Sequence, residues 1–273
     1  MLRTSLTGLK ASAKDLSVVA NNLANASTTG FKRSVARFSD VIADESAVRP
    51  GASIGKGVLT TSVERSTGQG AMVSTGSSLD IAIDGGGFFV FGNAPDGLPS
   101  DSTTYSRAGH LSMDSSGNLV DDTGAQLLGS AALTGNLQAS SLQGINVLSK
   151  VGGNASNINS INIAPNGKLS VTTRSGTTVD VAYVAVARFP DENGLRAVGS
   201  NKLAASDASG AVQIGTAGND GFGNLSQGTI EKSNVDLTNE LMQMIQAQQA
   251  YNGNSRALQT GSEMLRSVTE LVG

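Results

Sequence analysis

The stretch Asn21–Lys32, NNLANASTTGFK, follows a heptad-patterned segment and decides how the rest of the chain is interpreted. Three asparagines lie where the last turns of a helix are expected. Asparagine is a poor helix former because its amide competes for backbone hydrogen bonds. Gly30 then offers a residue at which the chain can reverse direction. The stretch therefore predicts a helix end whose polar groups have a specific task.

Apolar residues upstream of this end recur in alternating steps of four and three residues. This spacing is typical of a helix that packs along one seam. The seam consists of Leu2, Leu6, Leu9, Ala13, Leu16, Ala20 and Leu23. We predict an N-terminal helix over these residues.

The C-terminal end of the chain has the same spacing. Its seam consists of Leu237, Leu241, Met244, Gln248, Tyr251, Ser255, Leu258, Ser262 and Leu265, widened by Ile245, Met264, Val268, Leu271 and Val272. Ser233 and Asp236 form an S-x-x-D start signal. A helix of about 35 residues would be about 50 Å long. Residues 1–42 hold six Lys or Arg against two Asp or Glu, and residues 231–273 hold three against five, so the two terminal helices are predicted to pair.

The middle of the chain has the alternation and the turns of β structure. Asn166-Gly167 separates INIA from KLSV, and Ser175-Gly176 separates KLSVTT from TTVDVAYVAVARF. Both are typical of tight hairpins. HLSMD and NLVDD flank a third turn, SSG, and LDIAID precedes Gly85-Gly86-Gly87 and FFVF. Short strands without helices between them predict a mainly antiparallel β domain.

These patterns predict an α+β fold with a discontinuous organisation. Residues 1–42 and 225–273 would form one α-helical domain, in which the terminal helices pair like a coiled coil. Residues 43–75 would be an extended connector, and residues 76–224 the β-rich domain. Residues 128–160 have low complexity and would be an excursion from it.

The amino-acid composition argues against several classes of function. The net charge of -3 disfavours a general nucleic-acid binder, and the absence of cysteine removes thiolate metal sites and cysteine nucleophiles. No apolar run reaches about 18 residues, so no membrane insertion is expected. The N-terminal segment lacks the continuous apolar core of a secretory signal peptide.

None of the chemical motifs predicts an enzyme. Gly85-Gly86-Gly87 continues into a strand rather than a helix, which favours a bulge or tight turn over a phosphate loop. Asp114, Ser116 and Asn118 fit a hairpin turn better than a calcium loop. His110 is the single histidine and no nucleophile-elbow sequence accompanies it. We expect no catalytic residue, no cofactor and no metal.

Several blocks together resemble the bacterial flagellar axial proteins, the rod and hook proteins and their relatives. The blocks are NNLANASTTGFK, FSDV, STGSSLDIAIDGGGFFVF (74–91), YSRAGHLSMDSSGNLV (105–120) and GNLSQGTIEKSNVDLTNELMQMIQAQQAYNGNS (223–255). They occur in the order of the family and cover well over half of the chain.

The resemblance implies a structural subunit that polymerises into a hollow helical tube of identical copies. The terminal segments would line the channel and the β domain would form the outer tube. Neighbouring axial proteins of the rod, the hook cap and the hook–filament junction would be partners. The type III export apparatus would carry the subunit out of the cell to the hook and basal body.

The same resemblance implies an assembly interface on the terminal segments. In such a tube, polar groups at helix ends need partners in other subunits. The implied interface residues are Leu2, Leu6, Leu9, Leu16, Leu23, Asn21, Asn22, Asn25, Phe31, Leu237, Leu241, Met244, Ile245, Tyr251, Leu258 and Leu265.

Two members of the family fit the chain. SNVDLTNEL, and a connector without the longer insertion typical of distal rod proteins, favour a short hook protein that acts as a flexible universal joint transmitting torque to the filament. The overall length, and the absence of the additional outer domain common in hook proteins, favour a distal rod protein that forms a rigid drive shaft. The hook protein is the preferred interpretation and the distal rod is the alternative.

Two other classes of protein are disfavoured. A secreted β-rich enzyme would need converging titratable groups, and 15% charged residues supply few. A carbohydrate-binding or adhesin module would need exposed aromatic residues, and the chain has three Tyr and no Trp.

Overall fold

The structure is a computed structural model that describes residues 2–41, 55–92, 103–131, 142–152, 155–219 and 221–272. The chain divides into two compact units. The helical unit contains Met1–Ala26, Lys32–Ser66 and Val235–Gly273, and the β unit contains Ser27–Phe31 and Thr67–Asn234. The predicted α+β class, with terminal helices and a mostly antiparallel centre, is confirmed.

The helical unit consists of two helices and one β-hairpin. The helices are α1 (Leu2–Ala24) and α2 (Leu237–Val272), and the hairpin strands are β1 (Ser34–Val41) and β2 (Gly57–Arg65). Asp236 caps α2, because its Oδ1 accepts hydrogen bonds from the N–H groups of Thr238 and Asn239 at 2.9 and 3.2 Å.

The two helices run in opposite directions and approach each other closely. A Cβ atom added at Gly8 would lie 2.7 Å from Oδ1 of Asn254, and one added at Gly261 would lie 2.8 Å from Cδ2 of Leu2. Both distances are shorter than real Cβ contacts allow. Gly8 and Gly261 therefore lie where side chains of the facing helix pack, and a larger residue at either position would have to displace them.

Small and polar residues form the innermost face of this helix pair. Ala11, Val18, Val19 and Asn22 are buried on α1, and Glu240 and Ala247 are buried on α2. At about 100° per residue, Leu9 and Leu16 lie roughly half a turn away from Ala11 and Val18. Coiled-coil pairing along the two predicted seams is therefore not confirmed, since close packing selects the faces with the smaller side chains.

The hairpin is antiparallel, with Ser34 opposite Arg65 and Val41 opposite Gly57, and a bulge at Arg37/Phe38. Gly57 has φ +120°, and a side chain there would collide with Oγ1 of Thr7. Strand β2 thus occupies part of the segment predicted to be an extended connector. Residues 43–54 of that prediction lie outside the described residues.

The β unit is built from sixteen described strands. They are β3 (Met72–Ser74), β4 (Ile81–Asp84), β5 (Phe88–Gly92), β6 (Thr104–Ser106), β7 (Ser112–Met113), β8 (Leu119–Val120), β9 (Gln126–Ser130), β10 (Gln143–Gly144), β11 (Ile158–Ile163), β12 (Lys168–Thr173), β13 (Thr178–Arg188), β14 (Arg196–Gly199), β15 (Lys202–Ala204), β16 (Gln213–Thr216), β17 (Asn224–Gln227) and β18 (Thr229–Glu231).

The main sheet follows the order β11-β12-β13-β9-β5-β6-β15-β14, with β10 and β8 beside β9, β7 beside β8 and β16 beside β13. Its pairings are antiparallel. The hairpins predicted at Asn166-Gly167, at Ser175-Gly176 and between β7 and β8 are confirmed. Strand β4 pairs with β17, and β3 pairs with β18.

The core of the β unit lies on both faces of the main sheet. Successive side chains of a strand point to opposite faces, so Phe89 and Phe91 enter one cluster while Phe88 and Val90 enter the other. Residues 142–151, inside the predicted low-complexity excursion, contribute buried side chains to these clusters. Part of that segment therefore belongs to the core. Residues 132–141 and 153–154 are not described.

The buried ion pair between Arg107 and Glu231 joins several segments of the β unit. Nη1 of Arg107 lies 3.2 Å from Oε2 of Glu231, and Nη2 donates to the carbonyl of Gly85 at 2.8 Å. Glu231 accepts from the N–H of Gly70 through Oε1 and from the N–H of Gly30 through its main-chain carbonyl, at 2.8 and 2.7 Å. These bonds fasten residues 27–31 and the strand β18 to the same point.

Removing one member of this ion pair should strongly destabilise the β unit. Glu231→Ala leaves the Arg107 guanidinium buried without its carboxylate, which costs about 3–5 kcal/mol, while the double variant Arg107→Met/Glu231→Leu should recover most of that loss. Asp180→Ala, which removes the exposed Lys168–Asp180 pair, is the matched control and should cost at most about 1 kcal/mol. Urea denaturation followed by circular dichroism measures all three, and equal losses for Glu231→Ala and Asp180→Ala would contradict this role.

Candidate assembly surface

Exposed apolar side chains concentrate on the helical unit. Among the described residues thirteen large apolar side chains are exposed, and twelve of them belong to this unit. Soluble monomers expose single apolar residues everywhere, but a concentration of them on one part of a protein marks an interaction surface. The helical unit is therefore the candidate functional site.

The first part of this surface lies on the N-terminal half of α2. Leu237, Leu241 and Ile245 follow one another at four-residue spacing and are 52%, 43% and 51% exposed. Residues at this spacing share one side of a helix. We call these three residues the α2 ridge.

The second part lies at the C-terminal end of α2. Gly261 packs against Leu2 of α1, and α2 continues to Val272. Met264, Leu265 and Val268 in this continuation are between 55% and 59% exposed. We call these three residues the α2 overhang.

The third part is a cleft between the helices and the hairpin. Its volume is about 390 Å³, and it is lined by residues that include Gly8, Ala11, Asp15, Phe38, Ala247 and Asn254. Burial raises the pKa of Asp15 above its usual value, and the nearby charge of Glu240 raises it further. Both apolar and polar side chains, including the Asp15 carboxyl, therefore line the cleft.

The asparagine-rich helix end supports a hydrogen-bond network within the helical unit. Asn22 accepts from the N–H of Ser34 and donates to its carbonyl, both at 2.8 Å. Its Nδ2 also donates to Oε2 of Glu240 at 3.2 Å, and Arg33 pairs with the other carboxylate oxygen. Asn22 therefore joins α1, β1 and α2, and it does so inside its own chain.

Other polar groups of the stretch Asn21–Lys32 also form hydrogen bonds within the chain. Nδ2 of Asn25 donates to the carbonyl of Asn21 at 2.9 Å, which satisfies one group at the end of α1. The carbonyl of Thr29 accepts from Nδ2 of Asn201 at 2.7 Å, and the N–H of Gly30 donates to Glu231. The stretch thus ends one helix and then anchors the chain in the β unit.

The structure distributes the predicted interface residues over three levels of exposure. Asn22 is buried. Half-buried are Leu2, Leu9, Leu16, Leu23, Asn25, Phe31, Met244 and Leu258. Exposed are Leu6, Asn21, Leu237, Leu241, Ile245, Tyr251 and Leu265. Their contacts with other subunits remain a prediction, and for Asn22 the amide atoms are already bonded within the chain.

Sequence reasoning missed two groups of residues. Glu240 and Arg33 form the buried centre of the helical unit, and a charged residue on an inner helix face has no signature in the heptad count. Phe38, Leu59 and Val63 add exposed apolar surface from the hairpin. Alternation along GVLTTSVER could have identified the strand, although not its pairing with β1.

Neither a membrane span nor a metal cluster is found in the described ranges. No helix there combines the length and apolar character needed to cross a membrane. No three His, Cys, Asp or Glu side chains in those ranges come together as metal ligands.

The fold and this surface define an α+β structural protein whose exposed apolar residues concentrate around its terminal helices. Three family models match the chain: "Flagella basal body rod protein" over residues 2–32, "Flagellar hook protein FlgE/F/G D1 domain" over 82–171 and "Flagellar basal body rod FlgEFG protein C-terminal" over 226–271. The flagellar basal-body rod protein FlgG of Agrobacterium fabrum is 34% identical over 98% of both chains. The chain belongs to the family of flagellar axial proteins, the rod and hook proteins of the bacterial flagellum.

Other relatives favour a rod protein over the preferred hook interpretation. FlgG of Bacillus subtilis is 32% identical and covers 99% of this chain and 98% of its own. The flagellar hook protein FlgE of Brucella suis is 25% identical, in an alignment of 397 positions against the 273 residues here. The hook protein therefore has long segments without a counterpart in this chain. The preference for a hook protein is corrected accordingly.

Asn22→Ala should loosen the helical unit. The substitution leaves the main-chain groups of Ser34 and one oxygen of buried Glu240 without their amide partner, at a cost of about 1–3 kcal/mol. Hydrogen–deuterium exchange over residues 2–24 and 237–260 measures this loss. Asn21→Ala changes an exposed asparagine of the same helix turn and should stay within about 0.5 kcal/mol. Equal exchange in the two variants would show that Asn22 does not hold the helix pair.

Proposed function

We propose that this chain is a subunit of the distal part of the flagellar rod, and that it polymerises into a hollow, rigid drive shaft. The observation that carries the proposal is similarity to rod proteins over nearly the full length of both chains. The absence of any segment matching the extra length of the hook relative supports a rod rather than a hook.

The distribution of apolar residues supports polymerisation of identical copies. Fully burying a large aliphatic side chain contributes about 1.5–3 kcal/mol, so half-exposed residues retain a substantial part of that gain for assembly. The α2 ridge and the α2 overhang are more than 40% exposed throughout. In a helical polymer each copy would bury them against its neighbours, and the gain is repeated at every subunit.

Partners and location follow from the same proposal. Copies of this chain are the main partner, and axial proteins at the two ends of the polymer are the others. The type III export apparatus would deliver the subunit through the growing structure to a position outside the cytoplasm. The subunit has a mechanical role and needs no cofactor.

The hook protein remains the second candidate because one observation favours it. The block SNVDLTNEL at residues 233–241 resembles hook proteins more than distal rod proteins. A hook subunit would form a tube that bends, whereas a rod subunit would form a straight one.

A charge on the α2 ridge should abolish polymerisation without unfolding the subunit. Leu241→Asp would bury a carboxylate in a repeated helix contact, which costs several kcal/mol per contact. Val198→Asp is the matched control, because Val198 is 44% exposed but belongs to the β unit. Sedimentation and electron microscopy of concentrated full-length protein should show tubes for the parent and for Val198→Asp and none for Leu241→Asp, with the parent's melting temperature in every case. Tubes from Leu241→Asp would argue against this surface.

Deletion of the gene distinguishes rod from hook. Without a distal rod subunit, cells should lack both the distal rod and the hook that is built on it. Without a hook subunit, cells should retain a complete rod and lack only the hook. Electron microscopy of isolated basal bodies gives the answer, and complete rods in the deletion strain would overturn the rod assignment.

A further inference from the structure

The α2 ridge and the α2 overhang are both exposed, but they are too far apart along α2 to contact each other within one chain. The centres of the α2 ridge and the α2 overhang are Leu241 and Leu265. With about 1.5 Å of rise per residue, they are about 36 Å apart along the helix. A contact between a ridge and an overhang therefore requires two copies.

The overhang continues the face of α2 that packs on α1. Ala247, Asn254 and Gly261 face α1 at seven-residue spacing, and Val268 occupies the next position of that series. The residues change from small to large at the level where α1 begins with Leu2. Ala247 and Gly261 present little side chain to α1, whereas Met264, Leu265 and Val268 fit a second helix at an ordinary interaxial distance of about 8–10 Å.

The α2 ridge is an apolar surface that matches the apolar α2 overhang. Its three residues are aliphatic, and the single charged side chain between them, Glu240, is buried against Arg33. The cleft is a poorer match because four polar side chains, Ser12, Asp15, Gln246 and Asn254, are among its ten lining residues. An aliphatic overhang placed there would cover a carboxylate without pairing it, which is unfavourable.

The helix dipole favours the same arrangement. The overhang lies at the C-terminal, partially negative end of α2, and Glu263, Arg266 and Glu270 add a net charge of about -1 to it. The ridge lies near the N-terminal, partially positive end, where Asp236 caps the helix and Glu240 is paired with Arg33. If two parallel copies of α2 are displaced along their axis, the negative end of one lies beside the positive end of the other.

We propose that the α2 overhang of one copy binds the α2 ridge of a second copy that is displaced by about 36 Å along the helix. This inference rests on the proposed function, since it specifies which surfaces of the polymer meet. The contact is heterologous, because each copy contributes a different surface. Each copy has one ridge and one overhang, so the contact can extend a filament instead of closing a dimer.

Disulfide cross-linking in this cysteine-free chain tests the pairing. The double variant Leu241→Cys/Leu265→Cys is assembled at high concentration and oxidised with diamide, which accepts the two electrons and two protons released per disulfide. Denaturing gels without reductant should show a ladder of dimers, trimers and longer products. The two cysteines are too far apart to react within one copy, and either single variant should give no product beyond a dimer.

The matched control moves the second cysteine to the opposite side of the overhang. Arg266 points away from Leu265 and pairs with Glu270, so Leu241→Cys/Arg266→Cys should give at least tenfold less ladder. If both double variants form tubes but cross-link equally or not at all, the pairing is wrong while the proposed function stands. If Leu9→Cys/Leu265→Cys gives the ladder and Leu241→Cys/Leu265→Cys does not, the overhang contacts α1 of the neighbouring copy instead of its ridge. Absence of any polymer from the parent chain would overturn the proposed function itself.

Discussion

Close packing of α1 on α2 is the constraint on which the rest of the helical unit depends. Gly8 and Gly261 accommodate side chains of the facing helix, and Asn22 and Arg33 each bond one carboxylate oxygen of the buried Glu240. A buried charge is tolerated only when it is paired and hydrogen-bonded, so this network also selects one alignment of the helices. Because other faces are used inside, the leucines of both helices up to Leu265 are half-buried or exposed.

Much of the fold could be predicted from the sequence. Both helices begin and end within about one residue of the predicted bounds, because heptad spacing and the cap at Asp236 are local signals. The hairpin at Asn166-Gly167 is local in the same way. The pairings of β4 with β17 and of β3 with β18 join residues far apart in the chain, and no local sequence signal identifies the partner of any of these strands.

The inner face of the helix pair shows where pattern reasoning fails. A leucine heptad indicates that a helix packs against something, but it does not say whether the partner is the same chain or another one. Here the leucines stand half-covered or exposed, and Ala11, Val18 and Ala247 are inside. The preference for a hook protein has a related origin: SNVDLTNEL is nine residues, whereas the similarity to rod proteins extends over nearly the whole chain.

The helical unit is assembled from three separate segments of the chain, and this has a consequence for its biogenesis. Asn22 and Glu240 are 218 residues apart in sequence, so their contact closes a loop that contains the entire β unit. Contacts of such long range form late, after local structure. A product of premature termination could build much of the β unit yet would have no α2, and so no ridge and no overhang. Under the proposed function, only a chain translated through α2 would carry the surfaces that join it to the polymer.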